Sequence, residues 1–358
     1  MNASDFDVVV IGAGPSGSAT ALALAARGLR VGVAERSAFP RDKVCGCTLD
    51  PRAVAALERL GLASTLAALR PVALRHVRIA ARSRGATLPL RGTLAVSRTA
   101  FDAALASAAA SAGAHVATGH AVLGITREGG GFVVARAGAK AWTARAVVTA
   151  AGLADASLSQ PSVVDAQARI GVAATLDANS AAFARDELRM WVGADGYLGV
   201  ARLEDDRVRV AAALAPAAVR GDIGAALDRV LADAGSPWRL PRGVTFRATP
   251  PLTRTRGAVA EPGLFAVGDA CGYVEPFSGE GIGWALLSAE LVTPAVVAAL
   301  AGDARAHRDY DANWRSRVGA HRRAAERLLA WSRHPRWFAA ALTAIRIAPP
   351  LARVWMPT

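Results

Sequence analysis

The pattern of apolar and polar positions opens with Val8-Val9-Val10-Ile11, an unbroken β-branched run that follows Asp7. A strand apolar at consecutive positions is covered on both faces, as in a parallel sheet flanked by helices. Small residues then continue to about Ala26 at helical density. Gly28 suits the left-handed residue that ends a helix, and a second strand follows over 29–34, closing at Glu35. Further apolar strands are expected over 146–150 and 263–267, and a helix over 281–291. Between about 160 and 255 the pattern changes to short alternating segments at 169–176, 187–192, 197–203 and 207–214. The acidic turn Glu204-Asp205-Asp206 marks a hairpin, and 223–235 reads as a helix. From about Ala304 onward the chain reads as helical and is rich in Arg and Trp. The expected fold is α/β: a doubly wound domain from 1–159 and 256–300, an inserted α+β substrate domain at 160–255, and a helical C-terminal segment at 301–358.

The first strand runs into Gly12-Ala13-Gly14-Pro15-Ser16-Gly17. In such a loop Gly12 permits the tight turn, Gly14 lets the backbone approach a pyrophosphate, and Gly17 lets the helix lie close to the strand. Free N–H groups at the helix start, with the positive end of its dipole, suit phosphate. Glu35 ends the second strand 18 residues past Gly17, where a carboxylate accepts hydrogen bonds from ribose hydroxyls. The acid favours an unphosphorylated ribose, hence FAD or NAD over NADP. Pro15, Ser16 and Arg36 join the candidate cofactor residues.

A second element separates FAD from NAD. The strand in 263–267 ends at Gly268-Asp269, followed by Ser278-Gly279-Glu280-Gly281-Ile282-Gly283 and a helix. A flavin needs such an element, because its ribityl chain and second phosphate extend past the first loop. Asp269 suits a ribityl hydroxyl. Gly279, Gly281 and Ile282 offer backbone N–H groups, and the helix dipole favours negative charge at the flavin N1–O2 edge.

With these motifs the chain resembles the geranylgeranyl reductase branch of the FAD-dependent monooxygenase superfamily, related to the aromatic hydroxylases. The resemblance rests on the glycine loop, Glu35, PRDKVCGCTLDPRAVAALERLGL at 40–62, Ser97-Arg98 with Phe101-Asp102, and GDACGYVEPFSGEGIGWALLSAE at 268–290. It implies a glutathione-reductase-like FAD domain. It also implies that Arg98 contacts FAD, that the strand around Val122 passes the adenine, and that the Cys45-Gly46 loop lies along the isoalloxazine. Read from spacing alone, Arg98 has an alternative, a surface salt bridge to Asp102 one helical turn on. Two departures stand out. Relatives carry Asp-Gly where this chain has Ala151-Gly152, which counts against ordinary NAD(P)H use. Lipid-reducing members carry a YxWxFP-type motif, of which the stretch 196–202 keeps only Tyr197.

Cys45-Gly46-Cys47 places two thiols one residue apart, with Arg41 and Lys43 nearby to favour a thiolate. Cys45, Cys47 and Tyr197 are therefore the catalytic candidates, set against ordinary packing. Cys271 reads as packing, and Trp191 and Tyr197 read either as core or as lining of the substrate cleft. No metal site is expected, since CxC lacks further ligands at metal spacing and the six histidines form no cluster. A net charge of +13 over 358 residues admits a basic surface, an anionic membrane or nucleic acid as partner. Nucleic acid is the least supported, because zinc spacing and RNP-like motifs are absent. The start of the chain lacks the character of a secretory signal, and three cysteines fit a reducing cytoplasm. The run 337–355 docks on the protein or lies on a membrane surface as a peripheral anchor. No stretch of about 18 uninterrupted apolar residues is expected to span a membrane. The reading is an FAD-dependent oxidoreductase for a hydrophobic or aromatic small molecule such as a polyketide, quinone or lipid. Hydroxylation leads, reduction of isoprenoid or lipid double bonds competes, and a non-catalytic flavin-binding protein is the alternative from another class.

Overall fold

The β-branched run becomes the spine of a parallel sheet. In a computed structural model, which describes residues 4–180 and 183–348, Phe6–Ile11 pairs in parallel with Val31–Glu35 on one side and Ala139–Thr149 on the other. The main strand order of this eight-stranded sheet is Ala260–Glu261, Leu264–Ala266, Ala139–Thr149, Phe6–Ile11, Val31–Glu35, His115–Thr118. The strands Val122–Glu128 and Gly131–Arg136 extend it from Ala139–Thr149 as antiparallel partners. Val8, Val9 and Val10 are wholly buried, as an uninterrupted apolar run requires. The helix Pro15–Ala25 packs against the helices Arg98–Ser111 and Gly281–Leu300.

Gly281–Leu300 is long and apolar enough, by length and composition, to cross a membrane. The uninterrupted-run expectation passed over it because Glu290 and several small polar residues divide the stretch. Half of its most apolar window is buried inside the protein, against Pro15–Ala25, Pro51–Arg59 and Ala306–Ser332.

The second eight-stranded sheet has the order Arg247–Pro251, Ile170–Leu176, Val208–Leu214, Gly196–Arg202, Glu187–Val192, Val72–Ala81, Arg84–Ala95, Thr48–Leu49. Five of these strands come from the expected substrate segment. The other three come from 48–95, inside the span expected for the first domain, so this sheet draws on both expected spans. The physical reason lies in Val72–Ala81, whose alternating burial marks a strand with one covered face. It pairs in parallel with Glu187–Val192, a partner more than a hundred residues away.

The two faces of this sheet have different covers. Val172, Leu198 and Val210 pack beneath the helix Ile223–Asp233, through Leu227 and Val230. Trp191 lies on this face, stacked with Trp238 at 5.7 Å, so it does not line a cleft toward the first domain. Its neighbours Met190 and Val192 point the other way, toward Val274, Phe277 and the C-terminal helices. There the helix Pro335–Ile347 buries Phe338, Ala339, Leu342 and Ile345, a single apolar stripe that docks it on the sheet. Each large side chain buried this way is worth about 1.5–3 kcal/mol. The end of the amphipathic run, 349–355, lies outside the described residues.

Candidate functional site

Glycine is required at two points of the first loop for steric reasons. Gly12 has φ +100°, and a Cβ there would meet the Ala150 carbonyl oxygen at 2.6 Å. A Cβ on Gly17 would lie 1.9 Å from the Gly12 oxygen. Gly14 differs, because its Cβ position is open but for the Arg41 Nη2 at 3.7 Å. It is the N-cap of Pro15–Ala25 and supplies no side-chain cap, which leaves the first N–H groups of the helix available.

Glu35 is buried at the end of its strand. One carboxylate oxygen accepts from Ala13 N at 2.9 Å, the other from Ser37 N at 3.0 Å, and the Arg41 guanidinium lies 3.7 Å away. Arg36 is exposed at the rim. The segment leading to Val122 stays beside Glu35, since Thr118 pairs with it and His120 N donates to its carbonyl at 3.1 Å. Val122 itself is half-buried against the first core.

Arg98 makes the i,i+4 contact with Asp102, forked at 2.7 and 2.8 Å. The pair is buried and not on the surface, and Arg41 Nη2 joins the same carboxylate at 3.1 Å. Asp102 thus holds one cation over the glycine loop and another beside Cys45. Neither Arg41 nor Asp102 was among the expected cofactor residues. An arginine facing a glycine loop from 24 residues along the chain leaves no local signal.

The second element meets the first through Gly268. Its φ is +62°, and a Cβ there would lie 2.5 Å from Ser16 Oγ, while its N–H donates to Ser288 Oγ at 2.8 Å. Asp269 follows, facing the cations Lys43, Arg98 and Arg254, and burial pushes its carboxyl upward. Lys43 is pulled downward by burial and by the neighbouring Arg98 and Arg41. Gly279 has φ +78° and abuts Thr48, and Gly281 faces the ring of Tyr273. Ile282 directs its side chain into the core with Leu49 and Phe101, leaving its backbone at the start of Gly281–Leu300.

Opposite these loops stands the second sheet. Arg209 on Val208–Leu214 is buried and reaches across to the Cys45 loop. Its Nε donates to Cys45 O at 3.0 Å, Nη1 to Thr175 Oγ1 at 2.8 Å, and Nη2 to Lys43 O; Asp42 lies 3.2 Å from Nη1. Ala211 shares that face two residues on, and its cross-strand partners are Ala173 and Gly199. These three small residues form a row that ends at Met190. Gly199 and Ala211 remain half-exposed in the middle of the sheet, so the space before them is open. A cavity of about 280 Å³ between the sheets is lined by Cys47, Arg98, Ala173, Thr175, Arg209 and Arg247.

Tyr197 borders this face but is buried, edge-on to Phe277 at 4.8 Å. Burial and the nearby Glu275 carboxylate push its hydroxyl well upward. Glu275 is itself buried and paired with Arg169 at 3.0 Å. The structure thus places Tyr197 beside a buried ion pair and not in the row of small residues. Cys271 is buried with its thiol on Ala266 O at 3.1 Å, and desolvation pushes that thiol far upward, as a packing residue requires.

The residues present fit FAD. The glycine loop and helix start, with Arg41, whose buried Nε lies near Glu35 but makes no hydrogen bond, suit a pyrophosphate. Glu35 suits the adenosine ribose, and Asp269 with the start of Gly281–Leu300 suits the ribityl and flavin end. Residues 5–182, just under half of the chain, match the family described as FAD binding domain. Over 135 residues the chain is 42% identical to menaquinone reductase of Mycolicibacterium smegmatis; the match covers 36% of this chain and 32% of that relative, about a third of its length. In three dimensions it is similar to a myxobacterial chondrochloren halogenase, with TM-score 0.77, 24% identity and coverage of 89% and 81% of the two chains. It is also similar to aklavinone-11 hydroxylase, solved with FAD and aklavinone, with TM-score 0.73, 20% identity and coverage of 99% and 72%. These likenesses establish the fold, an FAD-binding domain facing a second sheet.

Proposed function

We propose that the chain is an FAD-dependent oxidoreductase of the monooxygenase or hydroxylase type, acting on a hydrophobic, flat small molecule of the quinone or polyketide class. The observation that carries this reading is the open row Ala173–Ala211–Gly199 facing the Cys45 loop. It is an apolar floor without bulky side chains, set opposite the residues suited to the flavin end of FAD. Bound FAD supplies two-electron redox chemistry. This chain's part is to orient and exclude water: Arg209 pins the loop 42–45 against the sheet, Arg98 and Lys43 set a positive field beside Asp269, and the row of small residues accepts a flat ring. The names of two similar proteins, menaquinone reductase and aklavinone-11 hydroxylase, support a quinone-like or polycyclic substrate.

A second reading is reduction of an isoprenoid or lipid double bond, as in the geranylgeranyl reductase-like branch. The 57% identity to menaquinone reductase of Mycobacterium tuberculosis over 61 residues favours it. Anaerobic stopped-flow tests both. The FAD-loaded protein is mixed with NADH, NADPH or dithionite, and the reduced form is then mixed with oxygen or with menaquinone. The hydroxylase reading expects oxygen consumption to rise when a quinone or polyketide is present, with an added oxygen in the product. Anaerobic reoxidation by menaquinone with loss of a side-chain double bond supports the second reading. A protein whose reduced flavin is insensitive to every such compound overturns both.

A further inference from the structure

The pair Cys45 and Cys47 is not used by the function proposed above, yet the fold holds it in a particular way. Cys47 has φ +61°, a left-handed conformation unusual for a residue other than glycine. That turn curls the tripeptide back, so the Cys47 N–H points at Cys45 Sγ at 3.3 Å, and Cys47 Sγ lies 3.8 Å from Cys45 O. Both ends are fastened: Arg209 grips Cys45 O at 3.0 Å, and Val96 N donates to Cys47 O at 3.0 Å. Gly46 between them is exposed, with nothing near its Cβ position to obstruct movement.

The two thiols are also differentiated. Cys45 is half-buried and Cys47 is buried behind it. The hydrogen bond from Cys47 draws the Cys45 thiol well down, helped by the adjacent Arg98 guanidinium, and Cys47 is pushed up by the same contact. Arg98 cannot swing away freely, because Asp102 holds it in a fork. The arrangement is a half-buried thiol drawn toward its thiolate, with a second thiol in reach that belongs to the wall of the cavity between the sheets.

We propose that Cys45 and Cys47 are a reversible thiol–disulfide pair, with Cys45 the site of attack on hydrogen peroxide and Cys47 the thiol that resolves it. Cys45 thiolate attacks one peroxide oxygen. An S–O bond forms, the O–O bond breaks, and hydroxide leaves and takes up the proton that Cys45 had released. The Cys47 thiol then attacks the sulfenic sulfur. The S–S bond forms, the S–O bond breaks, and the departing hydroxide takes the Cys47 proton. Two sulfurs lose two electrons in all, and one peroxide becomes two waters. The small ring closed by a single intervening residue is strained and therefore readily reduced by a dithiol. Oxidation removes the negative charge that faces Arg98 and stiffens the loop beside Asp269.

The test uses the full chain and does not depend on turnover. The protein is exposed to hydrogen peroxide, its remaining thiols are alkylated after denaturation, and the 45–47 peptide is read by mass spectrometry. The expected result is loss of two hydrogens and of both alkylation sites in that peptide, reversed by dithiothreitol, with Cys271 still alkylated. Cys45 should react at least about tenfold faster than Cys271. In Cys47→Ser, Cys45 should gain one or two oxygens and form no bridge, and in Cys45→Ser, Cys47 should stay alkylatable. The proposal is overturned if the wild-type peptide retains both thiols, or if Cys45→Ser oxidises Cys47 as fast as the wild type loses its thiols.

Discussion

Replacing Gly14 and Gly17 by alanine, one at a time, separates cofactor binding from folding within a single loop. A Cβ on Gly17 would lie 1.9 Å from the Gly12 oxygen and 3.0 Å from the Ala150 side chain. Ordinary contact needs well over 3 Å, so the helix start must retreat by more than an ångström from a close-packed strand. Overpacking of this kind costs about 1–3 kcal/mol, and more where backbone must move. The contact here is with backbone, so about 3 kcal/mol is expected for Gly17→Ala. A Cβ on Gly14 meets only the far end of Arg41, at 3.7 Å, and the residue has φ −76° and ψ −176°, which alanine adopts readily. Gly14→Ala should therefore leave the apoprotein within about 0.5 kcal/mol of wild type. It should nevertheless weaken FAD at least about tenfold, about 1.4 kcal/mol, because the methyl group stands where the pyrophosphate approaches the loop. Urea denaturation of the apoproteins gives the first quantity and fluorescence titration with FAD the second. If Gly14→Ala binds FAD as tightly as wild type, the loop is not the phosphate cradle. If Gly17→Ala is as stable as wild type, the packing argument for that glycine is wrong.

Burial raises the Asp50 carboxyl from 3.8 to about 6, with Glu280 adding to it. A gap of about two units is worth about 3 kcal/mol. Because the folded protein holds this proton more tightly, the penalty is absent below pH 3.8 and grows as pH rises to about 6. Asp50→Asn keeps a side-chain cap for Ala53 and should gain about 1.4 kcal/mol over wild type between pH 5 and pH 8 in urea titrations; an equal response at both pH values would refute this. Asp102→Asn should destabilise by about 3 kcal/mol, since it leaves two buried guanidinium groups facing one neutral amide; denaturation within about 0.5 kcal/mol of wild type would contradict it. Arg209→Met should free the loop that Arg209 grips at Lys43 and Cys45. Trypsin cleavage at Arg41 and Lys43 should then speed up at least about tenfold, as read by gel; an unchanged rate would show that the loop is held by other contacts.

The first loop was legible because its chemistry is local. A β-branched run, three glycines, a helix and a terminal acid lie within about thirty residues, and each imposes its steric rule on near neighbours. Asp269 was legible for the same reason, as a strand end followed by a glycine-rich turn. The opposite wall was not. Ala173, Ala211 and Gly199 are unremarkable along the chain and become a row only through cross-strand register. Arg209 left one faint signal, an arginine inside the apolar run Val208–Leu214 with alanines two and four residues on. Residue type alone leaves Trp191 open between core and cleft, and strand alternation decides for the core of the far face once Met190 faces the row. The strands in 48–95 were not legible, because a parallel pairing to a distant strand has no local signature.

The most direct test of the account is equilibrium binding of FAD to the purified apoprotein, with FMN as the control. A yellow complex with an FAD dissociation constant on the order of 1 μM or tighter is expected. FMN, which lacks the adenosine half that Glu35 and the first loop are placed to hold, should bind at least about tenfold more weakly. A protein that takes up neither, or that binds FMN as well as FAD, contradicts it.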